Sequence, residues 1–126
     1  TPYSHYVLRQ IQNTHSQILI SNTKPSSLKI FINAVKISNF FTPANSFAVD
    51  GHGPARRQNK IKILKKYLKK YPTDRLIVIG DTAKDVSLVS LHPRGISYLY
   101  SHPHQPLKDC HADFKIHDLR QVLHQT

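Results

Sequence analysis

Methionine is absent from this 126-residue chain, cysteine occurs once, at Cys110, and only 7 acidic residues stand against 18 lysines and arginines. Each shortage excludes something. A single cysteine cannot close an internal disulfide, so burial and hydrogen bonds must hold the fold, and a reducing compartment, the cytoplasm or an organellar matrix, is expected. No apolar run approaches the about 20 residues that a bilayer span needs, and no signal-peptide pattern opens the chain. A soluble protein without a membrane span is therefore expected. With no methionine at position 1, Thr1 is expected not to be the start of the gene product. The scarcity of acids leaves a formal net charge of +11, with 9 histidines besides. That excess favours polyanionic partners, whether nucleic acid, an anionic surface or phosphorylated small molecules.

What is present points to a folded α/β chain. Hydrophobic residues make up 39% of the sequence, enough to argue against disorder, and the length suits one domain over residues 1–126 with no room for a second core. Tyr3, Tyr6, Val7 and Ile11 recur at helical spacing, and Gln17 to Ile20 reads as a strand ending in the small polar cluster Ser21-Asn22-Thr23. Pro25 fits the first turn of a helix whose Leu28, Phe31, Ile32 and Val35 form a stripe. Ser46 to Val49 is a brief strand, and residues 50–55 read as a loop. Arg56, Arg57 and Lys60 precede a helix striped by Ile61, Leu64, Leu68 and Tyr71, and Pro72 ends it. Leu76 to Ile79 is a strand, Ala83 to Leu91 a helix, Ile96 to Tyr100 a strand, Ala112 to Ile116 a last short strand and Asp118 to His124 a terminal helix. Strands alternating with helices predict a parallel sheet.

The stretch from Leu76 to Asp85 concentrates the chemistry. Four consecutive aliphatic residues bounded by Gly80 predict a strand buried on both faces. Asp81 and Asp85 then fall at the strand-to-helix junction, where open α/β sheets place their ligands. Carboxylate oxygens beside the free N–H groups of a first helical turn suit a hard cation such as Mg²⁺ carrying a phosphate. The simpler expectation is that Asp81 or Thr82 caps the helix and Asp85 complements its dipole. His102, His104, Cys110 and His111 lie in a polar loop region without the second paired motif that zinc sites show.

The order of Leu19-Ile20-Ser21-Asn22-Thr23, then a basic residue near Lys60, then Val78 to Asp85, resembles the haloacid-dehalogenase-like (HAD) phosphatase superfamily. The tail, Gly95-Ile96 and Ala112-Asp113-Phe114-Lys115-Ile116, resembles phosphoglycolate-phosphatase-like members. The resemblance spans essentially the whole chain. It implies a Rossmann-like parallel sheet with helices on both faces; the stretch between Ser21 and Lys60 is too short for a large cap besides its helix and strand, so no separate cap is expected within these residues. It also implies that Ser21 and Asn22 bind the phosphoryl group and that Lys60, or failing it Lys62, compensates phosphate charge and steadies the nucleophile. Asp81 and Asp85 are then the Mg²⁺ motif, and the substrate a phosphorylated small molecule. The family's nucleophile motif, Asp-x-Asp, occurs nowhere in these residues; Asp50-Gly51 follows the serine motif in the wrong order. The family's first strand is thus missing here. Two functions are expected: a Mg²⁺-dependent phosphomonoester hydrolase whose nucleophile comes from a missing amino-terminal segment or partner chain, inactive as this chain alone, or a non-catalytic HAD-like module binding RNA or an acidic partner. The lysines at 62, 65, 66, 69 and 70 would carry the second, although a solvated helix face explains them as well.

Overall fold

The computed structural model describes residues 3–21, 23–49, 54–102 and 111–124. Helix α1 (Ser4–Gln12) leads to strand β1 (Leu19–Ser21), helix α2 (Pro25–Ala34), strand β2 (Ser46–Ala48) and helix α3 (Pro54–Lys70). Strand β3 (Leu76–Gly80), the single-turn helix α4 (Ala83–Val86), a 3₁₀ helix (Ser87–Leu91), β4 (Gly95–Tyr100), β5 (Phe114–Ile116) and a second 3₁₀ helix (Leu119–His124) complete the order. This is a mixed α/β chain, and among the described residues every strand pair is parallel. Among the described residues no helix is long and apolar enough to cross a membrane.

The strands fall into two ladders, β1–β2 and β3–β4–β5. Side-chain alternation along β1 and β3 sends neighbouring residues to opposite faces, and the clusters follow it. Leu19 joins Leu28 and Ile32 of α2, with Phe40, Phe41 and Leu8 of α1. Ile77 joins Tyr98, Tyr100, Ile116 and Val122, with Ile11 of α1. Ile18, Ile20, Leu76 and Val78 share one cluster with Ile61, Leu64 and Leu68 of α3 and with Leu88. Helix α1 therefore reaches both ladders through Leu8 and Ile11, and α3 reaches both through its apolar stripe on the opposite face. Arg120 fastens the last 3₁₀ helix to the start of α1: its guanidinium lies 3.8 Å from the centroid of the Tyr3 ring. Its hydrogen bonds to Asp118 hold that carboxyl at about 2.

Several elements differ from expectation, each for a local reason. The first strand starts at Leu19 rather than Gln17, because Asn45 Nδ2 donates to the Gln17 carbonyl (2.9 Å) and takes it out of the ladder. The helix expected over Ala83–Leu91 tightens to 3₁₀ after Val86. There the hydroxyls of Ser87 and Ser90 donate to carbonyls three residues back, at 2.7 and 3.0 Å, competing with regular α bonding. The terminal helix is likewise 3₁₀. The last strand begins at Phe114, since Asp113 turns inward: its Oδ2 accepts from Ser97 N (2.8 Å) and Ser97 Oγ (3.1 Å). In α2 only Leu28 and Ile32 are buried, while Phe31 faces outward and Val35 falls just past the helix end, exposed; Tyr71 lies beyond the end of α3 and is 51% exposed. β3 is not buried on both faces, for Ile79 is 41% exposed. β3 has no strand neighbour on its edge away from β4 among the described residues, and Ile79 lies at its carboxyl end.

Gly95 sits where a Cβ would come within 2.4 Å of Val89 Cγ2 and 2.5 Å of the Val89 carbonyl oxygen. Backbone cannot yield as a side-chain tip can. Gly95→Ala is expected to destabilise by about 1–3 kcal/mol, read as a lower urea midpoint at unchanged slope. An unchanged midpoint would contradict the close packing of β4 on the 3₁₀ helix.

Candidate functional site

Helix α3 starts at Pro54, so Lys60 lies within it and not at its opening. Four residues before Leu64, it falls on the same inward face. Lys60 is only 7% exposed, and an ammonium taken out of water needs a compensating charge. Asp85 supplies it: Lys60 Nζ donates to Asp85 Oδ1 in an ion pair that joins α3 to α4. A lysine in a basic helix is ordinarily a surface residue, and Lys60 is not one.

The turn after β3 shapes Asp85 for this task. Thr82, rather than Asp81, caps α4: its Oγ1 accepts from the Asp85 backbone N–H (3.2 Å) and donates to Asp85 Oδ2 (2.8 Å). Both carboxylate oxygens of Asp85 are thus engaged, one by an ammonium and one by a hydroxyl. Gly80 makes room for them, because a Cβ there would stand 2.4 Å from Asp85 Cβ. The Asp81 side chain is instead 50% exposed, and its Oδ2 lies 3.2 Å from His102 Nε2, an ion pair when the imidazole is protonated. His102 packs edge-on against Tyr100 at 4.9 Å between ring centroids. One carboxylate is held from within the core and the other is presented to solvent.

The structure thus brings Lys60, Thr82 and Asp85 together and sets Asp81 with His102. Ser21 ends β1 in the other ladder, where its carbonyl accepts from Thr23 N (3.0 Å) and Val49 N (2.7 Å). Asn22 lies outside the described residues, as do Asp50-Gly51, His104 and Cys110; His111 is exposed. Lys62, the second choice for the basic role, is exposed on α3. Among the described residues no three His, Cys, Asp or Glu side chains gather as a metal cluster. Thr82 and His102 are the members that sequence reasoning did not place in the site. The signal for Thr82 was present in the Thr-x-x-Asp spacing of a reciprocal helix cap; for His102, 21 residues from Asp81, no local pattern existed.

A comparison with protein-family models finds no match, and a search of curated proteins finds none either.

Because Lys60 is buried, removing only its partner should cost more than removing both charges. Asp85→Asn is expected to destabilise by on the order of 3 kcal/mol, whereas the Lys60→Met/Asp85→Leu pair should lose distinctly less. Chemical denaturation of the four members of this cycle checks it. Additive losses would show that the two groups are not coupled.

Proposed function

We propose that this chain carries the phosphate- and Mg²⁺-binding part of a phosphomonoester hydrolase of the HAD type, with the nucleophilic aspartate supplied on a strand outside these 126 residues. The observation that carries this reading is the pairing of the buried Lys60 with the partly buried Asp85 just past the carboxyl end of β3, with the half-exposed Asp81 in the same turn. An ammonium held in place by a carboxylate is preorganised to meet the charge of a phosphoryl group, and such positioning is most of what phosphoryl transfer requires.

In this reading the two ladders are outer parts of one Rossmann-like sheet, and the family's first strand lies between β1 and β3. Support comes from the packing: β1 and β3 each lack a strand on one edge among the described residues, yet their side chains share a core under α3, and α1 reaches both ladders on the other face. Ser21, with Asn22 after it, would donate hydrogen bonds to phosphoryl oxygens from the end of β1.

The donor set fits a hard cation. Asp81 offers an exposed carboxylate, and Asp85 adds a second acidic group behind it, already bonded to Lys60 and Thr82. Mg²⁺ tolerates such a sparse protein contribution because it keeps several waters. When bound, it would supply charge compensation at the phosphate. Asp85 cannot act as the nucleophile while both its oxygens are engaged, which leaves the attack to the carboxylate of the absent strand. Lys60 would steady that carboxylate and hold the phosphate against it.

Hydrolysis of p-nitrophenyl phosphate with Mg²⁺ tests the reading. The 126-residue chain alone should show negligible turnover, since without the positioned nucleophile an advantage of about 7–11 kcal/mol is lost. Supplying a complementing strand that bears Asp-x-Asp should restore turnover, and Asp81→Asn should abolish it again. Robust hydrolysis by the short chain, or none with the complementing strand bound, would overturn the proposal.

A further inference from the structure

The exposed face of α3 takes no part in the site just described. Lys62, Lys65, Lys66, Lys69 and Lys70 are all exposed, and their spacing places them on the side of the helix opposite Leu64, whose face is buried. They cover about 12 Å of helix at 1.5 Å per residue. No acidic residue occurs anywhere in α3, so no carboxylate on the helix relieves their mutual repulsion. A row of cations left without acidic neighbours on its own helix is complementary to a polyanion.

The flank of this row distinguishes among polyanions. Tyr67 and Tyr71 form a tilted pair, 4.9 Å between ring centroids, and Phe47 of β2 backs Tyr67 edge-on at 6.1 Å. Lys70 Nζ lies 5.4 Å from the centroid of the Tyr71 ring, joining the lysine face to the aromatic group. Tyr71 is 51% exposed and so offers ring surface to a stacking partner. The exposed aliphatic and phenyl side chains that a lipid surface would engage, Ile30 and Phe31 of α2, Val35 just after it, Ile79 of β3 and Phe114 of β5, all lie off α3. Lysines that track a phosphate backbone beside an aromatic ring that accepts a base are the two parts of a single-strand binding surface.

We propose that the outer face of α3, with Tyr71 at its end, binds single-stranded nucleic acid. The lysines contact successive phosphates and Tyr71 stacks on a base, without sequence preference. This surface is separate from Lys60, Asp81 and Asp85, and its occupancy does not depend on the phosphatase reading.

Fluorescence anisotropy of the full chain with a labelled oligouridylate tests it. Four engaged phosphates would give a log–log salt slope of about −3. The triple change Lys62→Gln/Lys66→Gln/Lys69→Gln should weaken binding at least tenfold and flatten the slope by about 2. Tyr71→Leu should weaken single-strand binding about tenfold and leave duplex binding unchanged. As a control of equal charge, Lys24→Gln/Lys29→Gln/Lys36→Gln should have little effect. An equal loss from the control triple would reduce the interaction to net charge and overturn the proposal. Binding to phosphatidylserine vesicles but not to the oligonucleotide, or an unaffected Tyr71→Leu, would overturn it as well.

Discussion

A parallel strand satisfies its backbone only when both edges are paired or solvated, because N–H and C=O groups point alternately to its two sides. That constraint organises this molecule. β1 is paired with β2 and β3 with β4, and among the described residues the remaining edge of each has no strand. Yet the side chains of the same two strands are drawn into one core beneath α3. Helices that would cover a continuous sheet here bridge two separate ladders. Ile79, in a segment apolar enough to be buried, is 41% exposed near the carboxyl end of β3.

The polar chemistry collects where these strands end. Lys60 enters from the helix on one face, Asp85 from the turn after β3, and Thr82 locks the carboxylate in position. The pair is costly to desolvate and gains little stability over an apolar substitute of the same size. Its presence is easier to understand as positioning than as stabilisation. In the proposed phosphate-handling role such a fixed ammonium would have a use, and the half-exposed Asp81 would offer a cation its first carboxylate.

Much of this was legible from residue order, and the failures are instructive. Four aliphatics closed by a glycine located β3, although the burial of both faces that the run implied was not met at Ile79, and an apolar stripe located α3, since its one inward face is buried. The burial of Lys60 was hidden because α3 begins earlier than its apolar stripe; a lysine before the first leucine reads as surface until the extra turns of helix carry it inward. The serine-driven 3₁₀ turn after Val86 and the Asp113–Ser97 clasp were invisible for a related reason. Both arise from side-chain bonds to the backbone that override the helix and strand propensities of the same residues. The contact of His102 with Asp81 depends on β4 running beside β3, a tertiary fact that no local spacing encodes.

Among the described residues the outer edges of β1 and β3 carry no strand, and amide hydrogen exchange followed by NMR tests this residue by residue. Leu19 N–H donates to Asn45 and Leu76 N–H to Arg94, each toward its own ladder, so by alternation the amides of Ile20, Ile77 and Ile79 point to the other edges. These three are predicted to exchange much faster than their neighbours Leu19, Leu76 and Val78. Uniformly slow exchange along both strands would mean instead that these edges are already paired.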